Sequence, residues 1–194
     1  MEEEKKVPVF KASLIYGAIV GLASIVLALI FYFIGQSLET WSMIVSIIIF
    51  IGLIIGSLMM YRKEYGGGFA SFGRLVLVSF IVGLVASVLS AAFNYALYEM
   101  DEGYLQDTKY SAIEKMDKQM EKMDARYQEK MSDDQYDLFE REMKKQRKKQ
   151  VKKIEERSAF ALSFGGIIGM VFIAVITGLI AGIFIKKDPE KVNQ

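Results

Sequence analysis

Four stretches of the chain, 12–35, 41–60, 75–97 and 159–185, contain no Asp, Glu, Lys, Arg or His. A helix that crosses the hydrocarbon of a bilayer needs roughly 20 predominantly apolar residues, and each stretch reaches that length. Backbone N–H and C=O groups in lipid must be bonded within their own segment, so stretches of this kind are helices. The fold class that follows is an all-α membrane protein with four transmembrane helices. The link 36–40 is so short that helices 1 and 2 must be antiparallel neighbours. Asp101, Glu102 and Gly103 mark the end of helix 3, and Lys186, Lys187, Asp188 and Pro189 the end of helix 4. The first stretch is longer than the roughly 7–15 residues of a signal-peptide core and ends without a small-x-small cleavage site, so it reads as a retained span.

The charge expelled from these stretches is concentrated between Glu99 and Arg157. The chain therefore divides into 1–98 (tail and helices 1–3), a charged extramembrane insert at 99–158, and 159–194 (helix 4 and tail). Within the insert Tyr110, Ile113, Met116, Met120, Met123, Tyr127 and Met131 recur at spacings of three and four, the seam of a coiled-coil helix. Ser132 followed three residues later by Gln135 fits a capping box and starts a second helix. That helix has a poorer seam of Tyr136, Phe139, Met143, Val151 and Ile154. Helices 3 and 4 must both return to the bilayer, which favours a helical hairpin folded at Ser132. That fold would set Glu114, Asp117 and Glu121 near Lys152, Lys149 and Lys145. The basic run of Lys144, Lys145, Arg147, Lys148, Lys149, Lys152 and Lys153 has two readings. It is either a solvated face balanced within the hairpin or a contact for anionic lipid, where each basic residue contributes about 1 kcal/mol.

Composition removes most chemistry. The chain has no Cys and no His, so disulfides, thiolate or imidazole metal sites, and Ser-His or Cys-His catalysis are excluded. Asp101 and Glu102 are interfacial carboxylates without an accompanying nucleophile, base or metal cluster. Gly66, Gly67 and Gly68 lack the Lys-Ser/Thr end of a phosphate loop and read as a turn. No catalytic residue, cofactor or metal is expected, and the chain is expected not to be an enzyme.

Lipid supplies no hydrophobic drive between helices, so their association rests on close packing of small residues and on interhelical hydrogen bonds. The candidate packing residues are Gly17 and Gly21 in helix 1, Gly52 and Gly56 in helix 2, Gly83 in helix 3, and Gly178 and Gly182 in helix 4. Asn94 is the candidate for a cross-helix hydrogen bond. Trp41 and Tyr61 stand at run ends as interfacial anchors. Two short likenesses hint at a duplicated hairpin: Ile19-Val20-Gly21-Leu22 with Ile81-Val82-Gly83-Leu84, and the segment from Gly52 to Gly56 with that from Gly178 to Gly182.

Basic residues in short loops favour the cytoplasm. Lys5, Lys6 and Lys11, then Arg62, Lys63 and Arg74, then Lys186, Lys187 and Lys191 all fall on one side of a four-pass chain. Both termini are expected to be cytoplasmic and the insert on the other side. The basic run before helix 4 opposes this assignment.

Tyr65-Gly66-Gly67 with Phe72-Gly73, and an apolar helix ending Phe93-Asn94-Tyr95, together with four runs and a long insert before the last, resemble a known family. It is the bacterial membrane family catalogued as domain of unknown function 4199, and the likeness covers roughly Val9 to Lys187. Members often carry a Pro after the Asp that follows helix 3, where this chain has Glu102 after Asp101. The resemblance implies a four-pass bacterial inner-membrane protein and no catalytic residues. The expected function is a non-enzymatic membrane protein presenting its charged hairpin to protein or anionic lipid. Its partners would be membrane lipids and, through residues 110–157, a second copy or another protein, with no nucleic acid. The alternative is a subunit of an oligomeric transporter or channel. Intramembrane ionisable residues, the usual mark of ion paths, are absent from the four runs.

Overall fold

The computed structural model describes residues 9–65, 68–128 and 131–186. Among the described residues seven helical segments follow one another: α1 (Val9–Phe33), α2 (Thr40–Glu64), α3 (Phe72–Met100), α4 (Glu102–Gln128), α5 (Asp133–Glu155), α6 (Ala159–Phe164) and α7 (Ile167–Ile185). Four of these stretches, α1, α2, α3 and α6 with α7, are long and apolar enough to cross a membrane. Of the flanking features read above, Lys5, Lys6, Gly66, Gly67, Lys187, Asp188, Pro189 and Lys191 lie outside the described residues.

Local chemistry sets the helix ends. Gly35 adopts φ 69°, and the N–H of Gln36 bonds the Phe31 carbonyl at 2.9 Å while that of Gly35 bonds Tyr32 at 3.0 Å. This is a Schellman closure, which needs a left-handed residue and so favours glycine. Trp41 locks the turn by donating to Gln36 Oε1 at 3.2 Å and meeting Phe31 edge-on at 5.3 Å. α2 closes differently: its C-cap Tyr65 is right-handed and donates its N–H to the Tyr61 carbonyl at 3.0 Å, and beyond it Gly68, at φ 85°, donates to the Arg62 carbonyl at 3.0 Å. The last apolar stretch is interrupted at Gly165 and Gly166, between α6 and α7. A continuous helix was expected there. Two adjacent glycines each cost a helix about 1 kcal/mol relative to Ala, enough to break it.

The chain forms two compact units, Met1–Asn94 with Ser163–Gln194, and Tyr95–Leu162. In the first, α2 packs on both α1 and α7. α3 meets α1 through Gly17 and Gly21, and meets α7 through Gly83 and Gly178. The helices thus ring a core of Val20, Ile54, Leu58, Leu75, Val78 and Val82, each at most 1% exposed. The outer faces are also apolar, with Leu22, Ile48 and Phe172 well exposed. Contiguous apolar surface on this scale belongs in lipid. Hydroxyls inside the spans are satisfied locally: Ser13, Ser57, Ser87 and Thr177 each donate to the carbonyl four residues earlier. Ser79 is different, donating across to the Ala174 carbonyl of α7 at 2.6 Å.

In the second unit Asp101 separates α3 from α4 and caps the latter, its Oδ1 accepting from the Tyr104 N–H at 2.9 Å. The carboxylate weighed above as an interfacial acid is committed to starting a helix. Ser158 caps α6 in the same way, accepting from the Ala161 N–H at 3.2 Å. α4 and α5 lie antiparallel. Lys109 donates to the Glu155 carbonyl at 2.9 Å, Arg147 pairs with Asp117, and Tyr136 donates to Asp124 at 2.9 Å. Ser132 holds the N-cap position of α5, as its spacing to Gln135 predicts, but its side chain makes no capping hydrogen bond.

Candidate functional site

The charged residues of α5 are biased by sign along the helix. Asp134, Asp137, Glu140 and Glu142 lie in its first half and the basic run in its second, with Arg141 and Glu155 as exceptions. This order complements the helix dipole, which is positive at the N-terminus and negative at the C-terminus. Across the helix, Tyr136, Phe139, Met143 and Ile154 are half-buried, whereas the lysines are all exposed. Tyr127 and Phe139 meet with ring centroids 4.6 Å apart.

The register differs from the one expected. Asp117 lies opposite Arg147, not Lys149, and the pair is bidentate: Nε to Oδ1 and Nη2 to Oδ2, both at 2.7 Å. A planar guanidinium matches a carboxylate with two parallel bonds, which an ammonium cannot do. That pairing holds the Asp117 carboxyl below its usual range and lifts the Arg147 guanidinium. The other expected partners are met within their own helices. Glu114 takes Lys118 at 2.7 Å, Lys145 takes Glu142 at 3.6 Å, and Lys152 takes Glu156 at 3.7 Å. The seam of α4 is also shifted. Tyr110 and Met123 are exposed, while Asp117 and Asp124 join Met116 and Met120 on the half-buried side. A straight helix drifts about 20° per heptad from a strict 3.5-residue repeat, so a seam read from spacing rotates outward along its length.

The seven candidate lipid-binding residues therefore separate into two sets. Arg147 faces α4 in its ion pair, and Lys144 bonds Glu140 at 2.6 Å. Lys148, Lys149 and Lys153 have no carboxylate within ion-pair distance among the described residues. Lys145, Lys148, Lys149 and Lys152 recur at three- and four-residue spacing, which places them on one outward stripe of α5.

Within the membrane unit the candidate packing residues also divide. A Cβ on Gly17 would stand 2.6 Å from Val85 Cβ, and one on Gly21 would stand 2.9 Å from Leu89 Cδ1. One on Gly83 would collide with Ala174, one on Gly178 with Ser79, and one on Gly182 would stand 3.1 Å from Phe72. A Cβ on Gly52 or Gly56 would meet nothing within 4 Å among the described residues, so none of the described helices packs closely on them. Asn94 is half-buried and has no side-chain hydrogen bond among the described residues. On α3 a cross-helix bond is made instead by Ser79, whose partner on α7 is a backbone carbonyl and so has no side-chain signature.

Two polar contacts escaped the sequence reading. Tyr16 of α1, almost fully buried, donates to Glu64 at the end of α2 at 2.7 Å, beside Tyr61 and Tyr65. Arg62 donates from Nη1 to the Ile185 carbonyl at the end of α7 at 2.8 Å. The antiparallel order of helices 1 and 2 already brings the start of one beside the end of the other, and this was the available signal for the first contact.

Among the described residues no group of acidic side chains is arranged to hold a metal ion. The profile of the family described as Protein of unknown function (DUF4199) matches residues 15–187. The chain belongs to this family. No curated protein and no solved structure matches it.

Proposed function

We propose that this family member is a non-enzymatic, multi-pass protein of a bacterial inner membrane, with both termini cytoplasmic. It presents α4 and α5 to an anionic partner, either lipid headgroups or an acidic protein surface. The observation that carries this reading is the outward stripe of Lys145, Lys148, Lys149 and Lys152 on α5. Two of these, Lys148 and Lys149, have no carboxylate within ion-pair distance among the described residues. Exposed basic residues near an anionic leaflet each contribute about 1 kcal/mol, so a stripe of four is adequate for reversible attachment.

Site-specific photocrosslinking in cells, on the full chain, tests the reading. A photoreactive residue at position 148 is expected to capture lipid or a second polypeptide, and glutamine at Lys145, Lys149 and Lys152 is expected to suppress the adduct. The same residue at Met120 is expected to give adducts within the chain. Absence of any adduct at 148, or one indifferent to the glutamines, would remove the basis for the proposal. Solute flux through liposomes holding the pure protein would replace it with the transporter-subunit reading.

A further inference from the structure

Beyond the α5 surface, the geometry points to a bound anionic phospholipid in the groove between α2 and α7, one acyl chain in the groove and the phosphate against Arg62, Lys63 and Lys186. The groove encloses about 500 Å³ and is lined by Ile47, Ile51 and Ile55 of α2 and by Ile176, Ile180 and Phe184 of α7, among others. Its walls are almost wholly hydrocarbon, so within a bilayer the occupant is apolar. One end is charged. Ile185 lines the groove, and its carbonyl accepts from Arg62. Arg62 stands seven residues after Ile55 and eleven after Ile51, close to two and three turns of α2, and so on the same face. Lys63 follows it, and Lys186 follows Ile185; both are exposed.

None of the three basic residues has a carboxylate within ion-pair distance among the described residues. Arg62 uses one N–H of its five on Ile185, which leaves a forked set of donors for phosphate oxygens. The opposing charges are the Glu64 carboxylate at the end of α2, which accepts from Tyr16, and the two helix C-termini of α2 and α7, each equivalent to about half a negative charge. Three full positive charges exceed that sum by about one. Apolar length ending in a net excess of cations among the described residues fits an anionic lipid better than a zwitterionic one, and basic pockets between membrane helices are where such headgroups dock. A partner helix would fill the groove equally well but would have no use for the cations.

The test uses the full-length protein in nanodiscs of equal phosphatidylglycerol and phosphatidylcholine, extracted gently and weighed by native mass spectrometry. Wild type is expected to retain phosphatidylglycerol selectively. Lys63→Gln with Lys186→Gln, both exposed and therefore harmless to the fold, is expected to reduce that preference by about fivefold per lysine. Ile51→Trp with Ile180→Trp fills the groove and is expected to abolish retention. Should that variant fail to fold, the lysine pair decides alone. Lys148→Gln with Lys149→Gln is expected to leave retention unchanged, which separates this site from α5. Equal retention of both lipids, loss of retention with the α5 variant only, or a lipid-free dimer would each overturn the proposal.

Discussion

Gly83 and Gly178 set how closely α3 approaches α7, and Gly17 and Gly21 how closely it approaches α1. Backbone proximity of this kind is what lipid-solvated helices have in place of a hydrophobic drive. Gly178→Ala is expected to destabilise the folded protein by about 1–3 kcal/mol, because the added methyl must displace Ser79 or the helix itself. Gly52→Ala meets nothing and is expected to be neutral or to stabilise by up to about 1 kcal/mol through helix propensity. Unfolding of the two variants in mixed micelles, followed by circular dichroism, compares them directly; equal losses would show that the contacts of Gly178 are unimportant. Ser79→Ala removes the cross-helix bond and, by the same measurement, is expected to cost about 0.6 kcal/mol. The value is small because the Ala174 carbonyl keeps its partner within α7.

α4 and α5 are held by different forces from the spans. α4 has no buried residue, so the pair depends on partly covered aromatics, methionines and hydrogen-bonded charges. Asp117 is held below its ordinary value of 3.8 by the hydrogen bond from Arg147. A group with a lowered folded pKa stabilises the fold above its unfolded value, and that contribution disappears as pH falls through the folded value. The helix pair is therefore expected to keep this contact throughout neutral pH and to loosen only in acid below about 3.8. Tyr136, hydrogen-bonded to Asp124, is shifted the opposite way, above its ordinary 10.0. Its contribution is complete below that value and is lost as pH rises through the higher folded one. The chain has no Cys, so nitroxides at introduced cysteines 115 and 149 report the spacing cleanly. The distance distribution is expected to broaden at both extremes, and Asp117→Asn to abolish the acid limb. An unchanged distribution in strong acid would show that the ion pair does not set the register.

For the whole molecule, the two units are expected to differ in stability. Backbone opening is easiest where few apolar contacts bury the chain. Hydrogen exchange on the reconstituted protein is expected to be fast along α4 and α5 and slow in α3, where half of the most apolar stretch is buried. Uniform exchange across both would contradict this division. The family match runs over residues 15–187 and so takes in parts of both units.

The four spans, their order and the concentration of charge between the third and fourth were legible in one sequence. Each follows from a local property: the cost of charge or unpaired backbone in hydrocarbon acts residue by residue. The N-cap at Ser132 and the turn at Gly35 were similarly close to the surface of the sequence. What lay beyond it were relations between distant residues. Nothing in a stripe of glycines says which helix it meets; Gly17 and Gly83 found partners, and Gly52 and Gly56 found none. Nothing in Arg147 or Arg62 says that one would pair with Asp117 and the other close the end of α7. Interhelical contacts depend on rotation and register, which shift by a fraction of a turn at almost no local cost. Only the packed structure selects among them, and here that selection set the apolar groove of α2 and α7 beside the bond from Arg62 to the Ile185 carbonyl.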